Sequence, residues 1–238
     1  MTTGSPHPAP PALDVRTALE AQQRAFLALA REVGPDAAVP GCPGWRALDL
    51  VTHLTGVHRW AAAVTRTPVG GTVPDDADPA PDPAPCAAYA AAARDLLTAL
   101  GEDPARPCPT FAGHGVVADW GRRQLHETLV HTWDLADAAG RPREGAPDVV
   151  ADAVEEVLDT VLPRQVRLGR VAAPAVAVEL LGSRRRVLGT GPVVASVSGA
   201  DADLVRLLWR RTTCGDPRLV VRGDARRARE VLGDALTP

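Results

Sequence analysis

Apolar positions recur at helical spacing through the first two thirds of the chain and give way to short β-rich runs in the last third. From about Leu13 to Val33, Val15, Leu19, Phe26, Leu29 and Ala30 make one stripe, and GPDAAVPGCPGW follows as a loop. A second helix runs to about Thr65, with Leu48, Val51, His53, Leu54, Val57 and Trp60 on its apolar side. Residues 68–85 hold too much Pro and Asp to pack and read as a surface loop. CAAYAAAARDLLTAL predicts a third helix to about Leu100, and a second Pro/Gly-rich loop leads to the fourth, DWGRRQLHETLVHTWDLADAAG. Gly140 is the natural residue to end that helix and Pro142 to stop it. A fifth helix is expected from about Asp148 to Leu162.

Beyond Pro163, VAVELL, RRVLG, VVASVSG and PRLVVRG have the look of strands, while ADADLVRLLWRR and DARRAREVLGDAL look helical. The expected class is α + α/β. A four-helix bundle over residues 12–163 is followed by a small α/β domain over 164–238, after a disordered Pro-rich segment, 1–11.

Composition narrows the function more than the fold. The 238 residues are 45% hydrophobic with net charge −3, which gives no polyanion-binding balance. Lys, Ile and Asn are absent, so the many arginines reflect coding bias, and lysine Schiff-base chemistry is excluded. No apolar run approaches the roughly 18 residues of a membrane span, and the start lacks a signal-peptide core; the expected location is cytoplasmic. Cys42, Cys86, Cys108 and Cys214 lie far apart and read as isolated reduced thiols.

Candidate chemistry lies in HETLVHTWDLADAAG, residues 126–140, which puts imidazoles and a carboxylate on a helix that should face a core. Glu127 and His131 are four apart and sit within roughly 40° of each other on one helix face. His126 is displaced from that face. Alone the pair reads equally as a helical salt link. His53 lies in the apolar stripe of a helix expected to pack against the fourth, where a single histidine is most often a hydrogen-bonded core residue. A buried imidazole facing a buried Glu/His pair is different, because the desolvated carboxylate requires a counter-charge. Two histidines and one carboxylate hold a divalent cation, zinc being the expected ion, with one position open. Asp134, one turn past His131, either orients that ligand or lies on the helix surface. Asp49 reads as part of a helix start, and Trp45 and Trp133 as core.

Together, VPGCPGWRALDLVTHLTGVHRW and LHETLVHTWDLADAAG resemble the mycothiol-dependent maleylpyruvate isomerase family, and VSGADADLVRLLWRRTTCGDPRLVVRGDARRAREVL looks like its small second domain. The resemblance covers most of the chain. It implies a DinB-like metal-binding bundle with His53, Glu127 and His131 as ligands. It also implies an arginine from the second domain that holds a substrate carboxylate, Arg211, with Arg210 as the neighbouring choice. The implied cosubstrate is mycothiol, and the implied reaction is addition of its thiolate to an electrophile, as in cis–trans isomerisation. A mycothiol S-transferase using another electrophile and a metal-binding module without turnover are the alternatives. No nucleic acid or membrane partner is expected. The sequence departs from the family where Arg46 follows the PGW run instead of a Ser or Thr helix cap.

Overall fold

The computed structural model describes residues 13–75, 79–80, 82–233 and 236–237; the segment 1–11 and His7 lie outside them. Helix α1 (Val15–Glu32) opens on Asp14, whose carboxylate accepts the N–H of Thr17 at 3.1 Å. Its Leu19 and Phe26 are fully buried. Helix α2 (Ala47–Arg66) starts without a hydroxyl cap. Asp49 instead accepts the backbone N–H of Arg46 at 2.8 Å, and the Arg46 side chain turns to Asp36. Helix α3 (Pro85–Glu102) packs along α2, and helix α4 (Val117–Ala138) packs against α1 and α2. Gly140, at φ 64°, ends α4, with the N–H of Arg141 returned to the Ala136 carbonyl at 2.8 Å.

The second Pro/Gly-rich stretch is not a loop. Residues 107–116 form an antiparallel hairpin, β1 (Pro107–Thr110) and β2 (Gly113–Val116), turning at Phe111–Ala112. With Thr110 and Gly113 closing the ladder, alternate residues point their N–H outward, and Pro107 and Pro109 occupy those positions at no cost in pairing.

Proline was misleading a second time. Helix α5 (Pro147–Glu156) continues through a π-helical turn, Val157–Val161, into α6 (Leu162–Arg167), so the expected boundary at 163 falls inside a helix. The wide turn before Pro163 accommodates a ring that would otherwise press on the carbonyl four residues back. Strands β3 (Ala177–Leu181), β4 (Arg185–Leu188), β5 (Val193–Ser198) and β6 (Val220–Gly223) form a mixed sheet in the order β4-β3-β5-β6. Only the β3/β5 pair is parallel. Helix α7 (Asp201–Leu208) packs on α5, and α8 (Ala225–Gly233) packs on β5. The chain is thus a helical N-terminal region with a small C-terminal sheet domain. Among the described residues no helix is long and apolar enough to cross a membrane.

One apolar core runs from Leu19 and Leu125 through Val154 to Val197 and Leu204, joining the two parts. As a result α4 is covered on every side, and each residue from Arg123 to Ala136 is buried. Every polar side chain on it therefore needs a partner from inside the protein.

His58, which the sequence left without a role, shows how such partners are supplied. It is fully buried, with Nδ1 2.9 Å from Gln124 Oε1. Burial pushes its pKa down to about 4, against the hydrogen bond to Gln124 that favours the charged form. An unfolded histidine titrates near 6.5, so the unfolded chain takes up the proton first as pH falls. Stability from this group is complete above about pH 6.5, declines towards pH 4 and then levels off. Between pH 7 and pH 5 the loss is about 2 kcal/mol. Urea unfolding at the two pH values should show that loss in the wild type and not in His58→Leu.

Candidate active site

Helices α2 and α4 lie side by side and bring His53 to Glu127 and His131. His131 Nε2 is 3.1 Å and His53 Nε2 3.6 Å from Glu127 Oε1. The two imidazoles stand nearly perpendicular, 5.3 Å between centroids, and the three donor atoms lie within 4.8 Å of one another. Ligand atoms of one tetrahedral zinc are roughly 3.4 Å apart, given bonds of about 2.1 Å. The spacing suits such an ion. Glu127 and His131 are buried and His53 is half-buried.

The other atoms of these three side chains are held in turn. Arg123, one turn earlier on α4, hydrogen-bonds Glu127 Oε2 and also both oxygens of Glu156 on α5, at 3.0 Å. His131 Nδ1 is 3.0 Å from Asp134 Oδ2, which directs Nε2 towards Glu127. Burial alone would raise the Asp134 carboxyl, but hydrogen bonds from His131 and Arg211 hold it far below the usual carboxylate range. For His131 burial works against the charged ring, but the bonds to Asp134 and Cys42 and the charge of Asp134 together outweigh it and raise the pKa.

Asp134 is matched by Arg211, whose Nε and Nη2 reach its two oxygens at 3.0 and 2.7 Å. Arg123 is shared between two buried carboxylates, Glu127 and Glu156, and holds Glu127 by Oε2, so that Oε1 faces the two imidazoles. A cation between His53, Glu127 and His131 would take that oxygen as a donor.

A second donor set, Cys42, His131 and Asp134, also lies within 4.8 Å. It suits a cation less well: both Asp134 oxygens are taken by Arg211, whose Nη2 is 3.1 Å from Cys42 Sγ. The loop carrying Cys42 approaches so closely that a Cβ on Gly41 would stand 2.2 Å from Asp134 Oδ1, so only glycine fits there.

These groups open on a cavity of about 700 Å³. Trp45, Trp60, Phe111 and Trp209 form its apolar wall, and Arg123, Arg164, Arg170, Arg210 and Arg211 its charged one. Trp45 stands edge-on to His53 at 5.1 Å, so it serves the cavity as well as the core. Trp133 is buried, with its indole N–H on the Glu144 carbonyl. The Arg164 guanidinium lies 3.9 Å over the Phe111 ring at the hairpin turn.

Helix α7 stops at Leu208, three residues short of the expected end. Arg210 takes the left-handed conformation, φ 58°, and the N–H of Arg211 returns to the Arg206 carbonyl at 2.7 Å. This turn separates the two arginines. Arg211 folds onto Asp134, Cys42 and the Trp209 carbonyl, while Arg210 stays exposed on the cavity wall. His126 points away from the site to Asp152 on α5, 2.7 Å distant, and His114 is exposed on β2. Three residues were missed by sequence reasoning: Arg123, Gln124 and Cys42. The signal for Arg123 was its position four before Glu127.

The family model for the mycothiol maleylpyruvate isomerase N-terminal domain matches residues 16–136, and that for the C-terminal domain of the same enzyme (MDMPI) matches residues 148–230. The chain belongs to this isomerase family. The maleylpyruvate isomerase fold agrees: a crystal structure titled mycothiol-dependent maleylpyruvate isomerase superposes with a TM-score of 0.63 at 13% identity, covering 87% of this chain and 91% of that one. A histidine-to-alanine mutant of that enzyme gives 0.60 at 13% identity, over 82% and 87%. Among curated proteins none matches the sequence.

Proposed function

We propose that the chain is a metal-dependent, mycothiol-dependent enzyme that adds a thiolate to an electrophilic substrate, with maleylpyruvate isomerase-like cis–trans isomerisation as the reaction. The observation that carries this reading is the Glu127 carboxylate, one oxygen held by Arg123 and the other meeting two imidazoles, at the end of an arginine- and tryptophan-lined cavity. A divalent cation, zinc by choice of donors, held by His53, Glu127 and His131 would stabilise a bound thiol as its thiolate at neutral pH. Arg123 fixes the Glu127 carboxylate and Asp134 fixes the His131 ring, so the donors need little rearrangement. The arginine wall receives the substrate's carboxylate: Arg210, with Arg164 and Arg170, at the mouth, and Arg211 deeper beside Asp134. A reduced small thiol as cosubstrate places the working enzyme in the cytoplasm.

The test is mycothiol-dependent turnover by the zinc-loaded chain. With mycothiol and a cis-unsaturated keto acid, formation of the trans isomer without loss of thiol is expected, and a chelator abolishes it. A chain that holds zinc, isomerises no enedione and conjugates no thiol to epoxides or halides is a metal-binding module. Conjugate accumulation in place of isomer indicates an S-transferase.

The two neighbouring arginines should separate kinetically. Arg210→Ala is expected to raise KM for an anionic substrate about tenfold while keeping its metal. Arg211→Ala removes the partner of Asp134 and should weaken metal affinity about 10–100-fold, with a fall in kcat. Equal behaviour of the two variants in metal titration and steady-state kinetics would contradict this division.

A further inference from the structure

The mechanism above leaves one buried polar line unused. Gln124 is on α4, three residues before Glu127 and on the same face, and it is 1% exposed although it forms part of the cavity wall. Its Oε1 lies 2.9 Å from His58 Nδ1 on α2, and His58 Nε2 lies 3.5 Å from the Tyr89 hydroxyl on α3. An amide oxygen only accepts, so His58 Nδ1 carries the proton, and Nε2 is left to accept from the Tyr89 O–H. The line has a direction: Tyr89 donates to His58, and His58 donates to the carbonyl end of Gln124. The amide N–H end of Gln124 is what remains for the cavity. Phe26, 4.6 Å from the Tyr89 ring, braces the far end. Because burial keeps His58 neutral at physiological pH, the direction is preserved.

We propose that Gln124 is a catalytic hydrogen-bond donor to the substrate's carbonyl oxygen, and that His58 and Tyr89 are positioning residues that aim it. This rests on the thiolate-addition reading and restricts it to conjugated carbonyl compounds. When the sulfur lone pair forms the C–S bond, the C=C pair moves towards the carbonyl and the carbonyl pair settles on oxygen as an enolate. The Gln124 N–H hydrogen-bonds that oxygen and keeps its proton. After rotation about the former double bond, the oxygen pair returns, the double bond reforms, and the thiolate leaves with its electrons. Epoxides and alkyl halides build no charge on a carbonyl oxygen and gain nothing from this donor.

Gln124→Met keeps the length and neutrality of the side chain and removes the N–H. It should lower kcat with an unsaturated keto acid about 100-fold. Zinc content and KM for mycothiol should stay unchanged. Affinity for a saturated keto acid that cannot accept the thiolate should fall about fivefold by calorimetry. Gln124→Leu also removes the N–H without adding a charge; it covers the case of a poorly folded methionine variant and should show the same kcat loss. His58→Leu, acting only through Gln124, should reduce kcat less than Gln124→Met and add nothing to it in the double variant. If both Gln124 variants turn over within twofold of wild type, the donor is overturned while the thiolate reading stands. A wild type that, with mycothiol and zinc, neither isomerises the keto acid nor forms a thiol conjugate overturns the reading and this inference together.

Discussion

Glu127→Gln should lose its cation and keep its fold. The amide preserves volume but is a poor ligand, so metal affinity should fall by more than about 100-fold, beyond the effect of removing an outer partner. Turnover should drop with it, because a free thiol with a pKa near 8.5 offers only a few per cent thiolate at neutral pH. Stability distinguishes this from general damage. In the wild type Arg123 is shared by Glu127 and Glu156; in the variant it keeps Glu156 as its charged partner, and no buried charge loses its mate there. Elemental analysis after dialysis together with urea unfolding checks both halves. A variant that unfolds more readily yet holds stoichiometric zinc would show that Glu127 is a structural partner.

Arg123→Met should have the opposite profile in stability. Arg123 is 5% exposed and joins Glu127 and Glu156, themselves 7% and 1% exposed. Removing the guanidinium leaves two buried carboxylates without their partner, a change that costs about 3–5 kcal/mol. For a chain of this length the midpoint of thermal unfolding should fall by roughly 10 °C. Adding zinc should recover part of it, since the ion replaces some of the missing positive charge. In the double variant with Glu156→Leu, the loss should be smaller than in Arg123→Met alone, because one unpaired carboxylate is gone.

The meeting of His53, Glu127 and His131 was legible because its geometry is local: a four-residue spacing on one helix and a histidine inside the apolar stripe of a neighbouring one. Family resemblance supplied the rest of that picture. What the sequence did not disclose depends on burial and long-range approach. Gln124 and Arg123 carry no motif of their own, and only α5 and the sheet domain covering α4 make them interior residues. Cys42 read as an isolated thiol until the Gly41 loop carried it to Asp134 and Arg211. The α7 pattern gave no signal that Arg210 would adopt φ 58°, so the roles of Arg210 and Arg211 stayed joined. Proline caused the remaining errors. Pro107 and Pro109 fit the outward positions of a hairpin, and Pro163 fits a helix widened just before it.

X-ray absorption at the zinc edge, recorded before and after mycothiol is added, tests the central claim most directly. The account predicts nitrogen and oxygen neighbours near 2.0–2.1 Å in the free protein, with one sulfur neighbour near 2.3 Å once the thiol is present. Sulfur in the spectrum before any thiol is added would make Cys42 a ligand and move the ion to the Asp134 side of His131. Neighbours unchanged by saturating thiol would contradict activation of the nucleophile at this site.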